Sequence, residues 1–365
     1  MSSTKIKDLR MIKASELLRQ KSEELREYTV AQKPTPKSRF SRGMSPRAWL
    51  YESEYEKALK LKERLLHDFE GKSLENVIPG HVISNEYGEC YRVLSSCVNQ
   101  LRQPDLKKSR EVIISDLKLI YGIGPIREQK LNHQGYTTIE DLLQNSRWRL
   151  PAKDVLELID SHDVRSLQRW LWRCLPKSHP LVHYSAGFCR KEDFAFLDIE
   201  TLGLFGRPII LLGVARPKDN VIEINQYLLR DIPDEPGALW EVVLNLGENA
   251  VLVSFNGRSF DVPFIQERLG YYSLEASFNC PHYDLLHFAR RAWRKHLPNC
   301  RLETIEQHLG IHRDIDLPSA LVPDFYHTYL KTRNVGPLIP IVEHNKQDLI
   351  TLTSLFTKLY EVWKI

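Results

Sequence analysis

No stretch of this 365-residue sequence is apolar for long enough to cross a bilayer. The longest nearly apolar run, Pro208 to Ala215, falls far short of the roughly 20 residues a membrane helix needs, so no membrane partner is expected. Cysteine is sparse: Cys90, Cys97, Cys174, Cys189, Cys280 and Cys300 form no CxxC pair and read as reduced thiols. Cys280, His282 and Cys300 find no convincingly spaced fourth ligand for zinc. GxxxxGK[ST] and GxSxG are both missing, which excludes a P-loop ATPase and a nucleophile elbow. The N-terminus opens on Lys5, Lys7, Asp8 and Arg10 with no apolar segment behind them, which argues against a secretory signal and for a cytoplasmic protein. Composition is otherwise ordinary, with 42% hydrophobic and 27% charged residues. A chain this long exceeds what one core usually serves, so two or three domains are expected.

Charge is unevenly spread. Residues 1–48 hold 12 Lys+Arg against 5 Asp+Glu, and residues 49–100 hold 6 against 9. Residues 101–190 hold 15 against 10, whereas residues 191–365 hold 18 against 23. A polyanion would be drawn to the upstream half and divalent cations to the acidic downstream half, unless these are merely solvated faces.

Residues 1–48 combine a possible amphipathic helix, Ile6 to Tyr28, with a Pro/Lys/Arg/Ser stretch, and read as a mobile basic arm. In the next segment, 49–100, Ser45 to Phe69 has helical spacing, and strand patterns at Val77 to Ile83 and Cys90 to Leu94 flank a turn at Asn85 to Gly88. Within 101–189 a helix is expected to end at Tyr121, where Gly122-Ile123-Gly124-Pro125 turns the chain into a second helix. Such a turn points backbone N–H groups outward as a phosphate cradle, with Ile123 packed inward and Arg127 and Lys130 adding charge. The turn, with Thr138 to Leu143 after it, resembles the helix-hairpin-helix module, which binds nucleic-acid backbones. A purely structural linker is the alternative.

From residue 190 to 365 the pattern is α/β. Strands are expected at Phe194 to Glu200, Pro208 to Ala215, Val221 to Leu229 and Val251 to Phe255. Helices are expected at Pro236 to Leu246, near Ser259 to Leu269, Leu285 to His296, Leu302 to Leu309 and Ile341 to Trp363. Asp198 and Glu200 end an otherwise apolar strand and, two residues apart, share a face, a costly placement unless something binds them. Asp261 follows another strand in Asn256-Gly-Arg-Ser-Phe-Asp261, and Asp348 follows His344 by one helical turn. Helix capping would explain Asp261 alone, but not all four acids in register.

At these residues the sequence resembles the DEDD exonucleases of the ribonuclease-H-like superfamily, in its YprB-like form. His282-Tyr-Asp-Leu-Leu286, Cys300-Arg-Leu302 through Glu306, and Val322-Pro323 through Tyr329 add to the likeness, as does Lys72 to Tyr91 upstream. The resemblance implies a ribonuclease-H-like mixed sheet flanked by helices, with the helix-hairpin-helix-like domain before it. It implies that Asp198, Glu200, Asp261 and Asp348 hold two Mg²⁺ or Mn²⁺ ions for 3′-to-5′ hydrolysis of nucleic acid, with DNA favoured over RNA. Hard cations prefer carboxylate oxygens, which suits that chemistry. His344 is the candidate general base, with a surface or outer-shell role as its alternative, and Asn256 and Asn345 are candidate substrate contacts. The histidine subtype usually places His five residues before the last Asp and the tyrosine subtype places Tyr four before; this chain has His at the tyrosine spacing. A non-catalytic nucleic-acid-binding scaffold, an endonuclease and a ribonuclease are the competing functions.

Overall fold

Seven strands join in one mixed sheet, seen in a computed structural model that describes residues 46–98, 101–204, 206–313 and 317–363. The expected basic arm therefore lies, up to residue 45, outside the described residues. The strands are β1 (His81–Asn85), β2 (Gly88–Val98), β3 (Phe194–Thr201), β4 (Ile209–Lys218), β5 (Val221–Leu228), β6 (Val251–Ser254) and β7 (His282–Asp284). Their order is β1-β2-β5-β4-β3-β6-β7. Pairing is antiparallel from β1 to β3 and parallel from β3 through β6 to β7. The upstream helices are α1 (Pro46–Asp68), α2 (Leu106–Ile114), α3 (Pro125–His133), α4 (Arg149–Asp160) and α5 (Val164–Cys174). Downstream come α6 (Glu235–Leu246), α7 (Asp261–Tyr271), α8 (Leu285–Trp293), α9 (Leu302–Leu309), α10 (Val322–Thr332) and α11 (Leu338–Val362).

Alternation along β3 explains how the sheet sorts its two cores. Ala195, Leu197 and Ile199 face a core shared with α1, α6, α7 and α10. Phe194 and Phe196 face the other way, where Phe356 of α11 meets both rings at 5.3 and 6.3 Å between centroids. That second core also contains Val112, Leu142, Leu156 and Leu171 of the upstream helices, so residues 101–189 pack directly against the sheet. A strand's side chains repeat every two residues. The row begun by Phe194 and Phe196 therefore continues as Asp198 and Glu200, placing both acids where the apolar layer under α11 ends.

The expected hairpin is present and reaches further than its apolar pattern suggested. Residues Tyr91 to Val98 of β2 pair with Leu228 to Val221 of β5, so the hairpin extends the same sheet at its edge. The helix expected to run to Tyr121 stops at Ile114, and a 3₁₀ turn, Leu117–Leu119, leads into the Gly122 turn. Asp116 accounts for the break, since its carboxylate accepts the Lys118 N–H and starts the new turn. Within Thr138 to Leu143, the stretch that resembles the helix-hairpin-helix module, the chain forms a 3₁₀ turn, Asp141–Gln144; the Asp141 carboxylate takes the Thr137 and Thr138 N–H groups and tightens the chain. Helix α7 begins at Asp261 and not at Ser259, because Asn256 adopts φ +66° and the chain turns through Gly257 before it coils. The three-residue β7 and helix α10 have no counterpart among the expected elements; β7 is too short for periodicity to reveal.

Candidate active site

Strand β3 supplies two of the four acids, and neighbouring elements bring the others to it. Asp198 lies opposite Gly213 of β4, which in turn lies opposite Gln226 of β5. Gly213 leaves the space into which Asn345 of α11 descends: a Cβ there would collide with Asn345 Oδ1 and stand 2.8 Å from Leu349 Cδ1. Asn345 Nδ2 donates to Asp198 Oδ2 at 2.7 Å, and its Oδ1 accepts from Gln226 Nε2 at 2.9 Å. The Gln226 amide is itself oriented by donating to the Val342 carbonyl at 2.8 Å. With both ends of its amide engaged and no exposed surface, Asn345 orients Asp198 and has no atom left for substrate, which departs from the expected contact.

Glu200, one step along the same face, meets the next positions of α11. His344 Nε2 is 3.8 Å from Glu200 Oε1, 3.7 Å from Asp348 Oδ2 and 3.2 Å from Ser319 Oγ. His344 Nδ1 faces Arg313 Nη1 at 3.1 Å. A guanidinium only donates, so Nδ1 accepts and Nε2 carries the imidazole hydrogen. Arg313 also binds Glu306 through Nε at 2.6 Å and Nη2 at 2.9 Å, and its Nη2 bonds Asp348 Oδ1. Thr351 completes this buried group by donating to Glu306 Oε1 at 2.5 Å.

Asp261 enters from the start of α7, buried and held by backbone N–H groups, its own and that of Ile199. The loop before it is fixed by Asp284 at the end of β7, whose carboxylate accepts from Asn256 N at 2.8 Å, Arg258 N at 3.2 Å and Leu286 N at 3.2 Å. Asp284 thus also caps α8. Asn256 is exposed beside the site.

Electrostatics records how close the acids are. Burial, then the charges of Asp348, Glu200 and Asp261, push Asp198 well above the ordinary carboxylate range. Burial, Asp348 and Asp261 do the same to Glu200. Asp261 is pushed to about 7, first by burial, with Asp284 and Asp348 contributing. Asp348 is pushed to about 6 by burial against the opposing pull of Arg313. Four carboxylates from β3, α7 and α11 therefore lie within electrostatic reach of one another, and a nearby cation would favour their ionised forms. Oxygen donors of this kind suit Mg²⁺ or Mn²⁺. Among the described residues no group of three or more His, Cys, Asp or Glu side chains stands close enough together to hold a metal ion as arranged here. Arg313 supplies one positive charge there, on Asp348 and Glu306.

The upstream turn has different neighbours. Gly122 has φ +89°, a conformation that favours glycine, and Gly124 caps α3. Ile123 is buried as expected, Gly122, Gly124, Arg127 and Lys130 are exposed, and Arg127 Nη1 donates to the Gly122 carbonyl. Tyr121 is 97% and Ile126 73% exposed on either side of the turn.

Sequence reasoning missed Gly213, Gln226, Ser319 and Arg313. Gln226 left a signal, a polar pair with Asn225 inside a strand otherwise fit for burial. Arg313 left none, since it acts from the connection between α9 and α10.

The family model described as the RNase_H superfamily matches residues 195–360. The uncharacterized protein YprB of Bacillus subtilis (strain 168) is 35% identical over 192 residues, 51% of this chain and 46% of YprB. The chain thus spans less than half of that relative's length. Among solved structures, exonuclease I aligns at 17% identity with a TM-score of 0.31, covering 46% of this chain and 40% of that one. E. coli exonuclease I in complex with a dT13 oligonucleotide aligns at 15% identity with the same TM-score and coverage. Residues 195–360 of this chain thus resemble the RNase_H superfamily.

Proposed function

We propose that this protein is a metal-dependent nuclease that hydrolyses nucleic-acid phosphodiesters, as a 3′-to-5′ exonuclease on DNA. One observation carries the reading: four buried or half-buried carboxylates from three separated segments lie close enough that Asp348 raises the other three and Glu200 and Asp261 add to the rise at Asp198. In this reading Asp198, Glu200, Asp261 and Asp348 hold two divalent cations, Mg²⁺ or Mn²⁺. Such a pair supplies an activated water and charge stabilisation at the leaving 3′ oxygen.

The chain's own residues do the remaining work. Asn345 and Gln226 hold the Asp198 carboxylate in one orientation. His344 turns Nε2 towards Glu200 and Asp348 and would take a proton released there at Nε2, in the tautomer whose hydrogen sits on Nδ1, which requires Arg313 to give up that nitrogen. Asn256, exposed at the rim, is the candidate substrate contact. The Gly122 turn, with Arg127 and Lys130, would hold backbone phosphates at a distance from the chemistry.

The test is end-labelled DNA and RNA, single- and double-stranded, incubated with purified protein and Mg²⁺ or Mn²⁺. Metal-dependent shortening from the 3′ end is expected, and Asp198→Asn should abolish it while leaving binding nearly intact. A second reading, a nucleic-acid-binding scaffold without turnover, is favoured by the Arg313 guanidinium already neutralising Asp348. No cleavage of any substrate with either metal would decide for it.

A further inference from the structure

Helix α8 starts at Asp284, the residue that fixes the loop before Asp261, and runs away from the candidate site with an unusual face. Leu285, Leu286, Phe288, Ala289 and Trp293 are buried. His287, Arg290, Arg291 and Arg294 occupy the opposite side at positions i, i+3, i+4 and i+7, one stripe on a helix. They line a groove of about 400 Å³ whose remaining lining is Lys177 and Ser178, from the turn after α5. No acidic residue lines it, and among the described residues none of these three arginines forms an ion pair. Like charges four residues apart each destabilise a helix by a few tenths of a kcal/mol. The helix C-terminus offsets part of that for Arg290 and Arg291, but it gives no reason for Lys177 to stand across from them.

The groove begins beside the loop that leads to Asp261. His287 Nε2 is 4.0 Å from Asp284 Oδ2, while Asp284 holds Arg258 N. The Arg258 guanidinium lies over the Trp172 ring at 3.9 Å, joining the site loop to α5, and Lys177 lies 5.6 Å from the same ring. Cationic and aromatic groups thus run from beside Asp261 to Arg294. A positive groove with no acid in its lining suits the phosphates of a nucleic-acid strand, and the Trp172 ring, stacked under Arg258, holds that cation at the end nearest the site loop.

From these observations the geometry points to a strand-binding track, Arg258–Trp172 followed by Lys177, His287, Arg290, Arg291 and Arg294, that holds the phosphodiester backbone of a single strand leading to the four acids. The inference rests on the nuclease reading for what happens at the strand's end, but not for the binding itself. The stripe from residue 287 to 294 spans roughly 10 Å at 1.5 Å per residue, enough for two or three phosphates.

The experiment measures binding without catalysis. Fluorescence anisotropy of labelled single-stranded oligo(dT) and oligo(U) is followed in EDTA, across salt concentrations, with the full chain. The triple variant Arg290→Gln, Arg291→Gln, Arg294→Gln should bind about tenfold or more weakly at low salt. Its slope of log affinity against log salt should fall by about 2, because each of the three arginines that no longer neutralises a phosphate removes roughly 0.7 from it. Lys177→Gln, from the other wall, should give a smaller loss in the same direction, so that misfolding of α8 cannot mimic the result. The control triple Lys57→Gln, Lys60→Gln, Arg64→Gln removes equal charge from the exposed face of α1, on the other side of the sheet, and should leave affinity within twofold. Equal losses in track and control variants, or no loss in the track variants, would overturn the proposal. A parallel loss for both oligonucleotides assigns the groove to the shared backbone; a loss confined to one keeps the track and names its polymer. Wild-type protein that binds through the track and cleaves nothing would overturn the nuclease reading alone.

Discussion

Removing the charge of Asp261 should make the metal-free protein more stable, and increasingly so as pH rises from acid to neutral. The Asp261 carboxyl is raised from an ordinary 3.8 to about 7 in the folded chain, whereas unfolding returns it to the ordinary value. The folded state therefore binds the extra proton between those two values. Stability from this group is fully present below about pH 3.8 and is lost as pH rises through about 7. At about 1.4 kcal/mol per pH unit the total is on the order of 4 kcal/mol, with roughly 3 lost between pH 5 and 7. Asp348, raised to about 6, follows the same sign with a smaller loss. Asp261→Asn keeps the acceptor for the backbone N–H groups and removes the charge. Urea unfolding in EDTA should show variant and wild type nearly equal near pH 3.8, with the variant's lead growing as pH rises to about 4 kcal/mol at pH 8. Mn²⁺ or Mg²⁺ at pH 8 should then stabilise the wild type much more than the variant. Equal stabilities at both pH values, or equal stabilisation by cations, would refute the claim that the four acids lie within electrostatic reach of one another.

Other perturbations follow from particular contacts. Gly213→Ala should cost about 1–3 kcal/mol in denaturant unfolding and cut any nuclease rate further than that loss explains, because the new methyl group displaces Asn345 from Asp198. Arg313→Ala should lower the metal-free melting temperature by leaving Glu306 and Asp348 buried without their cation, and divalent ions should recover more of that loss than they add to wild type. His344→Ala should slow hydrolysis of a labelled oligonucleotide by about 10²- to 10⁴-fold if its imidazole takes the proton, and a near-normal rate would remove it from that role. Arg268→Ala should destabilise by about 3–5 kcal/mol in urea, since Glu235, bonded to Arg268 at 2.7 and 2.6 Å, would be left buried and unpaired.

The elements readable in the sequence were those whose cause is local. Phe194 to Glu200 reads as a buried strand because its apolar run is bounded by acids, and β3 occupies Phe194–Thr201. Gly247 marked the end of α6 because a backbone at φ +65° favours glycine, and Asp284 marked the start of α8 because a short carboxylate can accept the first free N–H groups. The four acids were visible for a related reason: charge at the end of an apolar strand, or one turn from a histidine, conflicts with burial unless something is bound there.

Pairing across the chain was decided only by the tertiary structure. Nothing local in Tyr91 to Val98 says that it pairs with β5, since its partner lies more than 120 residues away and the pattern fits any sheet edge. Asn345 looked like a substrate contact because the sequence cannot show that Gly213, two strands from the hairpin, leaves a hole into which its amide descends. Arg313 and the basic stripe of α8 acquire meaning from what lies opposite them, Asp348 and Glu306 in one case and Lys177 in the other. Periodicity and capping act over a few residues, so the sequence alone announces them. The distance between two charges depends on how helices and strands stack, and only the folded chain sets it.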